Sequence, residues 1–423
     1  MSERRRPRRY KVALLGAFGI DNFGNDVTLD AAMDSITRSI AAGDIVCICS
    51  VPEYASSRFG IESDYLHGRP TPRRWSTSPS RAARVLSRAG RELARSVSAY
   101  RRMRHVELLL VAGTGALDDQ HIGPLGLPLD TAIWCVAARA AGARVAIVST
   151  GAGPISSPVS RLLLRAAAGT ARYVSYRDQA SRDYMRSIGR NVDHDVVVPD
   201  LAFGLPEASI PPPTSLPERS VAVGVLWNGN WQARPGAAAT YQSRLIDLIA
   251  GLWDEGCRVT LLIGDRADTD GREELLAALA VRHPQEFGSR LEVPRLGSFD
   301  DVLRAMAGCT SAVVSRYHHL VAALMTSTPL VSLEYGFKNR ALMDAVGLGE
   351  HCLEVNDFDP SDVVRRVEKA EAVGAVGVRP ILAGFRAQVG DQYTNVLRSF
   401  LSASARRREV DLSAKRSGKW RAT

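Results

Sequence analysis

At 423 residues the chain is too long to fold around one hydrophobic core, and its 45% hydrophobic and 23% charged residues are those of an ordinary soluble globular protein of two or three domains. The net charge of +9 belongs to the tails: residues 1–10 carry +4 and residues 402–423 carry +5, which leaves a near-neutral body. Short Arg-rich tails of this kind are expected to be solvated and disordered, with contact to an anionic surface as the second reading.

No apolar run approaches the roughly 18 residues that a membrane span needs, and the N-terminus passes from arginines straight into a strand without a secretory apolar region, so a cytoplasmic protein is expected. The six cysteines (47, 49, 135, 257, 309, 352) include no Cys-x-x-Cys and no His/Cys cluster at zinc spacing; they read as reduced, small apolar residues.

Tyr10 to Leu15 reads as a first strand, followed by the glycine-bearing turn Gly16 to Asp26 and by Val27 to Met33 on a helix. Asn22, Gly24, Asn25 and Asp26 in this turn suit either a capped helix start or backbone contact with a ligand. The glycine spacing is not the dinucleotide fingerprint. Arg81 to Arg104 reads as a helix on which Arg81, Arg84, Arg88, Arg91 and Arg95 form one stripe, with Val85, Leu86, Ala89, Leu93 and Val97 opposite. The bland expectation is an apolar face packed on the body and a solvated basic face; the functional one is an anchor to anionic lipid or a lipid-linked acceptor. Nucleic acid is set aside, because no interleaved aromatics or binding motif accompany the stripe.

The alternation of strand and helix then resumes: Val106 to Val111 with the loop Gly113-Thr114-Gly115, a helix from Leu129, the strand Arg144 to Ser149, Arg172 to Tyr176 opening Arg177-Asp178, and Asp195 to Val198. Parallel strands with glycine-bearing loops imply a doubly wound domain over residues 10–205. Residues 206–219 are proline-rich and read as a linker. A second α/β domain is expected over 220–378. A helix over 379–405 is expected to pack back across the junction, a basic tail over 406–423 to follow it, and the cleft between the domains to hold the site.

Within the second domain, Ala312-Val313-Val314 reads as a buried strand and Leu320 to Leu324 as helix, which puts Arg316-Tyr317-His318-His319 on a strand-to-helix turn. An arginine there can hold a carboxylate or phosphate, a helix N-terminus adds partial positive charge, and histidine is the side chain suited to moving a proton near neutral pH. Asp268-Thr269-Asp270 resembles an Asp-x-Asp metal clamp but is read as a capped helix start, since Asp readily precedes helices; a calcium loop in that register fails because it would begin at Arg266 and end at Ala277. No metal site is expected.

These motifs together resemble the polysaccharide pyruvyltransferase family across roughly residues 10–350. The likeness rests on Gly16…Asn22-Phe23-Gly24-Asn25-Asp26, Gly113-Thr114-Gly115, Gly151-Ala152-Gly153-Pro154, Ser175-Tyr176-Arg177-Asp178, Pro199-Asp200-Leu201-Ala202-Phe203, Ser315-Arg316-Tyr317-His318 and Tyr335…Lys338. The resemblance implies two Rossmann-like doubly wound α/β domains, similar to GT-B glycosyltransferases. It also implies transfer of the enolpyruvyl group of phosphoenolpyruvate to sugar hydroxyls, with the donor as substrate and no cofactor. It assigns Arg316 and His318 to donor binding and catalysis. Chemically, Arg316 and Lys338 suit the two anionic groups of phosphoenolpyruvate, His318 suits the general acid, and Asp26 or Asp178 could act as base.

Tyr335 and His319 join the expected donor contacts; Asn22, Gly24, Asn25, Gly113, Thr114, Gly115, Arg177 and Asp178 are expected acceptor or loop contacts. Gly24-Asn25-Asp26 stands where the family generally has Gly-Asp-Glu, and the strand ending Leu226-Trp227-Asn228 lacks the arginine many members carry there. A nucleotide-sugar glycosyltransferase and a noncatalytic glycan-binding protein on the same fold are the competing readings.

Overall fold

The computed structural model describes residues 9–68, 81–119, 123–214, 218–227, 236–374 and 377–416. The side chains of Arg81 and Arg84, Asn228, and the ends of both basic tails lie outside the described residues. The chain divides into two compact units. The first comprises residues 1–20, 32–200 and 388–423, and the second residues 21–31 and 201–387.

The elements run β1 (Tyr10–Gly16), α1 (Phe23–Thr37), β2 (Ile45–Cys49), α2 (Pro52–Phe59), β3 (Glu62–Tyr65), α3 (Arg81–Met103), β4 (Val106–Ala112), α4 (Leu127–Ala140), β5 (Arg144–Thr150), α5 (Pro158–Thr170), β6 (Tyr173–Tyr176), α6 (Gln179–Ser187) and β7 (Val196–Val197). They continue with β8 (Ser220–Gly224), α7 (Ala237–Asp254), β9 (Arg258–Leu262), α8 (Thr269–Arg282), α9 (Pro284–Arg290), β10 (Leu291–Glu292), α10 (Phe299–Ala307), β11 (Ser311–Val314), α11 (Tyr317–Met325), β12 (Leu330–Glu334), α12 (Phe337–Ala345), β13 (Cys352–Glu354), α13 (Pro360–Val373) and α14 (Arg379–Arg416).

Every pairing in both sheets is parallel, in the orders β3-β2-β1-β4-β5-β6-β7 and β10-β9-β8-β11-β12-β13. Strands buried on both faces must be apolar throughout, and β2, β8, β11 and β12 are buried at every position. In each sheet the chain winds outward from its first strand in one direction and then crosses to the other side. The direction reverses between β1 and β4 in the first sheet and between β8 and β11 in the second. In open α/β sheets ligands bind outside the carboxyl ends of the strands at such a reversal.

Two expectations change. Helix α1 begins at Phe23 rather than at Val27, so Gly24, Asn25 and Asp26 lie on its first turn, and the capped start is the one expected in this stretch: the Asn22 side chain accepts the Asn25 amide at 3.1 Å and the Asn22 carbonyl accepts the Asp26 amide at 3.1 Å. Helix α3 departs in part: Arg88 and Arg91 are exposed, as expected of the basic stripe, but the described part of the apolar stripe is not packed on the body. Arg95 reaches Asp130 at 2.5 Å, Arg102 pairs with Glu62 and lies over the Tyr10 ring, and Leu93 and Val97 are 67% and 40% exposed. Carboxylates on α4 and β3 draw in Arg95 and Arg102, and Ala99 and Met103 supply the buried apolar contacts.

The last helix runs on to Arg416, beyond the expected end at 405. Within the first unit its Gln392 is 4% exposed, donates to Ser149 Oγ at 2.9 Å, and accepts from Tyr173 Oη at 3.1 Å and from Ser175 Oγ. All six cysteines are buried and unpaired. Among the described residues no helix is long and apolar enough to cross a membrane, and no cluster of His, Cys, Asp or Glu could hold a metal ion.

Candidate active site

In the second unit, β11 ends at Val314 and α11 starts at Tyr317, so Arg316 is the N-cap residue of α11, in extended conformation. Asn339 of α12 fixes the turn by donating to the Ser315 carbonyl at 2.8 Å. Beside it, at the carboxyl end of β8, the Trp227 amide donates to Asp268 at 2.8 Å.

Asp268 is fully buried and organises this corner. Its carboxylate accepts from Arg316 Nε at 3.0 and 3.2 Å and from Arg316 Nη2 at 2.5 Å, and from the backbone amides of Trp227, Gly264 at 3.3 Å and Asp265 at 3.1 Å. Burial pushes the Asp268 carboxyl up, and Arg316 opposes that shift. Desolvation alone would lower the Arg316 guanidinium, but the adjacent Asp268 charge outweighs it and raises it further. A bidentate pair with this many donors fixes the guanidinium plane. Nη2 also reaches the Trp227 carbonyl at 3.4 Å, whereas Nη1 has no acceptor among the described residues.

Asp268 receives the Asp265 amide in a capping box whose cap residue is Asp265. As the residue preceding α8 it makes no side-chain cap bond to that helix, contrary to the capped start expected from the sequence, because its carboxylate is taken by Arg316 and by the amides of Trp227, Gly264 and Asp265. Its pairing with Arg316 was not legible there, since 48 residues separate the two and an Asp before a helix carries no mark of its partner.

Tyr335 lies close enough to act electrostatically on Arg316, and Lys338 Nζ stands 4.8 Å from the centre of the Tyr335 ring. Lys338 thus stands beside an aromatic side chain in the neighbourhood of Arg316.

His318, on the first turn of α11, is approached by the backbone of α1. A Cβ at Gly24 would lie 1.9 Å from His318 Nδ1 and 2.5 Å from two ring carbons, so only glycine fits there. The ring stands edge-on to Phe299 and Tyr317. Asn22 holds this start of α1 by donating to Asp265 at 2.6 Å, the Phe23 amide donates to the Gly264 carbonyl at 3.2 Å, and Arg266 pairs with Asp21 at 3.0 Å. These bonds account for the grouping of residues 21–31 with the second unit. Asn25 and Asp26 belong to the same first turn, with Asp26 9% exposed.

His319 points the other way. It is 1% exposed and packed so tightly that a Cβ at Gly224 would lie 2.7 Å from Nδ1 and one at Gly264 would lie 3.0 Å from Nε2. Burial pushes its imidazole down to about 4, so it is neutral at physiological pH. It supports the turn from beneath.

In the first unit, Gly113 and Thr114 both have positive φ, and the Thr114 carbonyl accepts the Gly151 amide at 3.0 Å. A Cβ at Gly115 would lie 2.5 Å from Asp118 Oδ2. This loop follows β4 at the reversal of the first sheet. Arg177 is held between Asp178 at 3.4 Å and Asp200 at 3.6 Å, and Asp178 caps α6 by accepting the Ser181 amide at 2.6 Å. Both side chains are committed to the framework.

The family model for polysaccharide pyruvyl transferase matches residues 22–336. No curated protein matches the chain. Among solved structures, Anabaena HepE in complex with UDP and glucose is 13% identical with a TM-score of 0.58, over 92% of this chain and 100% of that one. The UDP complex of Staphylococcus aureus MnaA is 9% identical with a TM-score of 0.58, over 93% and 97%. A glycosyltransferase from Rickettsia africae is 9% identical with a TM-score of 0.58, over 93% and 99%. At such identities the likeness establishes the fold, a two-domain α/β architecture of GT-B type.

Proposed function

Because the chain belongs to the polysaccharide pyruvyl transferase family, we propose that it moves the enolpyruvyl group of phosphoenolpyruvate onto sugar hydroxyls of a cell-surface polysaccharide or glycolipid, closing a pyruvate ketal and releasing phosphate. The observation that carries this reading is the turn after β11. There the buried Asp268 carboxylate fixes the Arg316 guanidinium, Lys338 adds a second cation through Tyr335, and His318 sits against the first turn of α1. Arginine and lysine suit a donor that carries both a carboxylate and a phosphate.

In the proposed reaction His318 delivers a proton to the methylene carbon of the donor. A sugar hydroxyl adds to the cationic carbon so formed, phosphate leaves, and a second hydroxyl closes the ketal. Of the two hydroxyl protons released, one balances that taken up by the carbon and the other leaves with phosphate. General acid catalysis of this kind contributes about 10²–10⁴ in rate. Asp26 is the second unit's candidate for orienting a hydroxyl, and Arg316 stabilises the departing phosphate. The protein is read as cytoplasmic.

A nucleotide-sugar donor is the alternative, favoured by the UDP named for two of the structural neighbours. Purified protein is incubated with phosphoenolpyruvate and cell-envelope glycans, and phosphate release and the ketal mass on the glycan are followed. Both are expected, and both are expected to fall at least 10²-fold in His318→Ala. Transfer from a nucleotide sugar without turnover of phosphoenolpyruvate would overturn the proposal.

A further inference from the structure

At the carboxyl end of β3, outside the site described above, His67 Nδ1 is hydrogen-bonded to Asp130 Oδ2 on the first turn of α4. The other carboxylate oxygen, Oδ1, is held by Arg95 Nη2 at 2.5 Å, and Arg95 also meets Glu92 at 3.1 Å. Asp130 is 1% exposed and His67 is 45% exposed. A carboxylate accepts only, so Nδ1 carries a hydrogen in either protonation state of the ring, and the neutral ring bears its lone pair on Nε2. Nε2 has no protein partner among the described residues.

The imidazole is held on a stiff support. The Leu66 amide donates to the Cys49 carbonyl at 2.8 Å, and the Leu66 carbonyl accepts from Trp134 Nε1 at 3.0 Å. Gly68, with φ of +77°, leaves room for the Arg95 stem, which a Cβ there would meet at 3.2 Å. An oriented histidine with one nitrogen committed and the other presented is the arrangement by which a protein offers a fixed hydrogen-bond acceptor to a ligand. Two carboxylates, Asp130 and Glu92, stand behind it against one arginine. That balance disfavours an anion and suits a neutral hydroxyl. The group lies at the carboxyl edge of the first sheet, bridging the end of the edge strand β3 and the first turn of α4, the helix that follows β4.

We infer that His67, held by Asp130 and Arg95, recognises the sugar acceptor on the first unit, its Nε2 accepting a hydrogen bond from an acceptor hydroxyl. This rests on the reading of the protein as a transferase to sugar hydroxyls. The test uses the full-length chain and, as probe, the envelope glycan extracted from a strain lacking the gene. Glycan binding without donor, phosphoenolpyruvate binding without glycan, and the acceptor KM are measured for His67→Ala, His67→Asn and His67→Gln. An Asn amide reaches the Nδ1 position and a Gln amide the Nε2 position, so the two separate a tie to Asp130 from recognition.

Glycan affinity is expected to fall about 10- to 100-fold in the Ala and Asn variants and to be largely retained in the Gln variant, with donor binding unchanged in all three. Unchanged glycan affinity in His67→Ala overturns the inference. Retention in Asn with loss in Gln also overturns it, since that pattern marks a purely structural tie. If the wild type binds glycan through His67 yet never turns over phosphoenolpyruvate, the inference stands and the donor assignment fails.

Discussion

The buried His319 makes acid stability a direct report on the turn that carries Arg316 and His318. Its imidazole is held at about 4 by burial, against an unfolded value of 6.5. Between those values the unfolded chain binds a proton that the native state refuses, so the native state is intact above pH 6.5 and loses stability on acidification. With 1.36 kcal/mol per unit, the loss amounts to about 2 kcal/mol at pH 5 and about 3 kcal/mol at pH 4.

Urea unfolding at pH 7, 6, 5 and 4 measures it, with His319→Leu as the comparison. Leucine keeps an apolar side chain of similar size between Gly224 and Gly264 and removes the titration. Carboxylates contribute equally to both proteins, so the difference between the two curves isolates His319. It should shrink by about 2 kcal/mol from pH 7 to pH 5 in favour of the variant. Parallel curves through that window would refute the claim that this ring is neutral and enclosed.

Other substitutions probe the remaining contacts. Gly24→Ala drives a methyl into the His318 ring. The gain of about 1 kcal/mol in helix propensity offsets part of an overpacking cost of about 1–3 kcal/mol, so stability should fall by up to about 2 kcal/mol while kcat falls about 10²-fold through displacement of the imidazole. Asp268→Asn leaves Arg316 without its buried counter-charge. A loss of about 3–5 kcal/mol in chemical unfolding is expected, and the KM for phosphoenolpyruvate should rise at least tenfold. In the first unit, Gln392→Leu strands the hydroxyls of Ser149, Ser175 and Tyr173. Urea unfolding should show a loss of about 1–3 kcal/mol with donor affinity unaltered.

Much of the fold was legible from local chemistry. The strands β1, β4, β5, β8, β9 and β11 are short apolar runs ended by glycine, polar or charged residues, and a strand buried on both faces has no other way to be written. The turn at Arg316 was legible for the same reason: a buried strand runs into a helix, and the polar residues between them must lie at the carboxyl edge of the sheet. The orientation of α3 was not. Its periodicity separates an arginine stripe from an apolar one but does not say which side faces the body. Asp130 and Glu62, distant in sequence, drew in Arg95 and Arg102 and left Leu93 and Val97 exposed, while Arg88 and Arg91 stay exposed.

The same limit applies to the candidate site. Arg316, His318, Tyr335 and Lys338 announce themselves by residue type and by position after strands. What fixes them does not: Asp268 lies 48 residues before Arg316, and Gly24 lies nearly three hundred before His318. The sequence by itself determined which groups can bind an anion and move a proton, because that capacity belongs to each side chain. Only the tertiary structure decided which carboxylate holds the arginine, which backbone confines the histidine and which second histidine is buried neutral, because charge pairing, close approach and desolvation arise between residues that folding alone brings together.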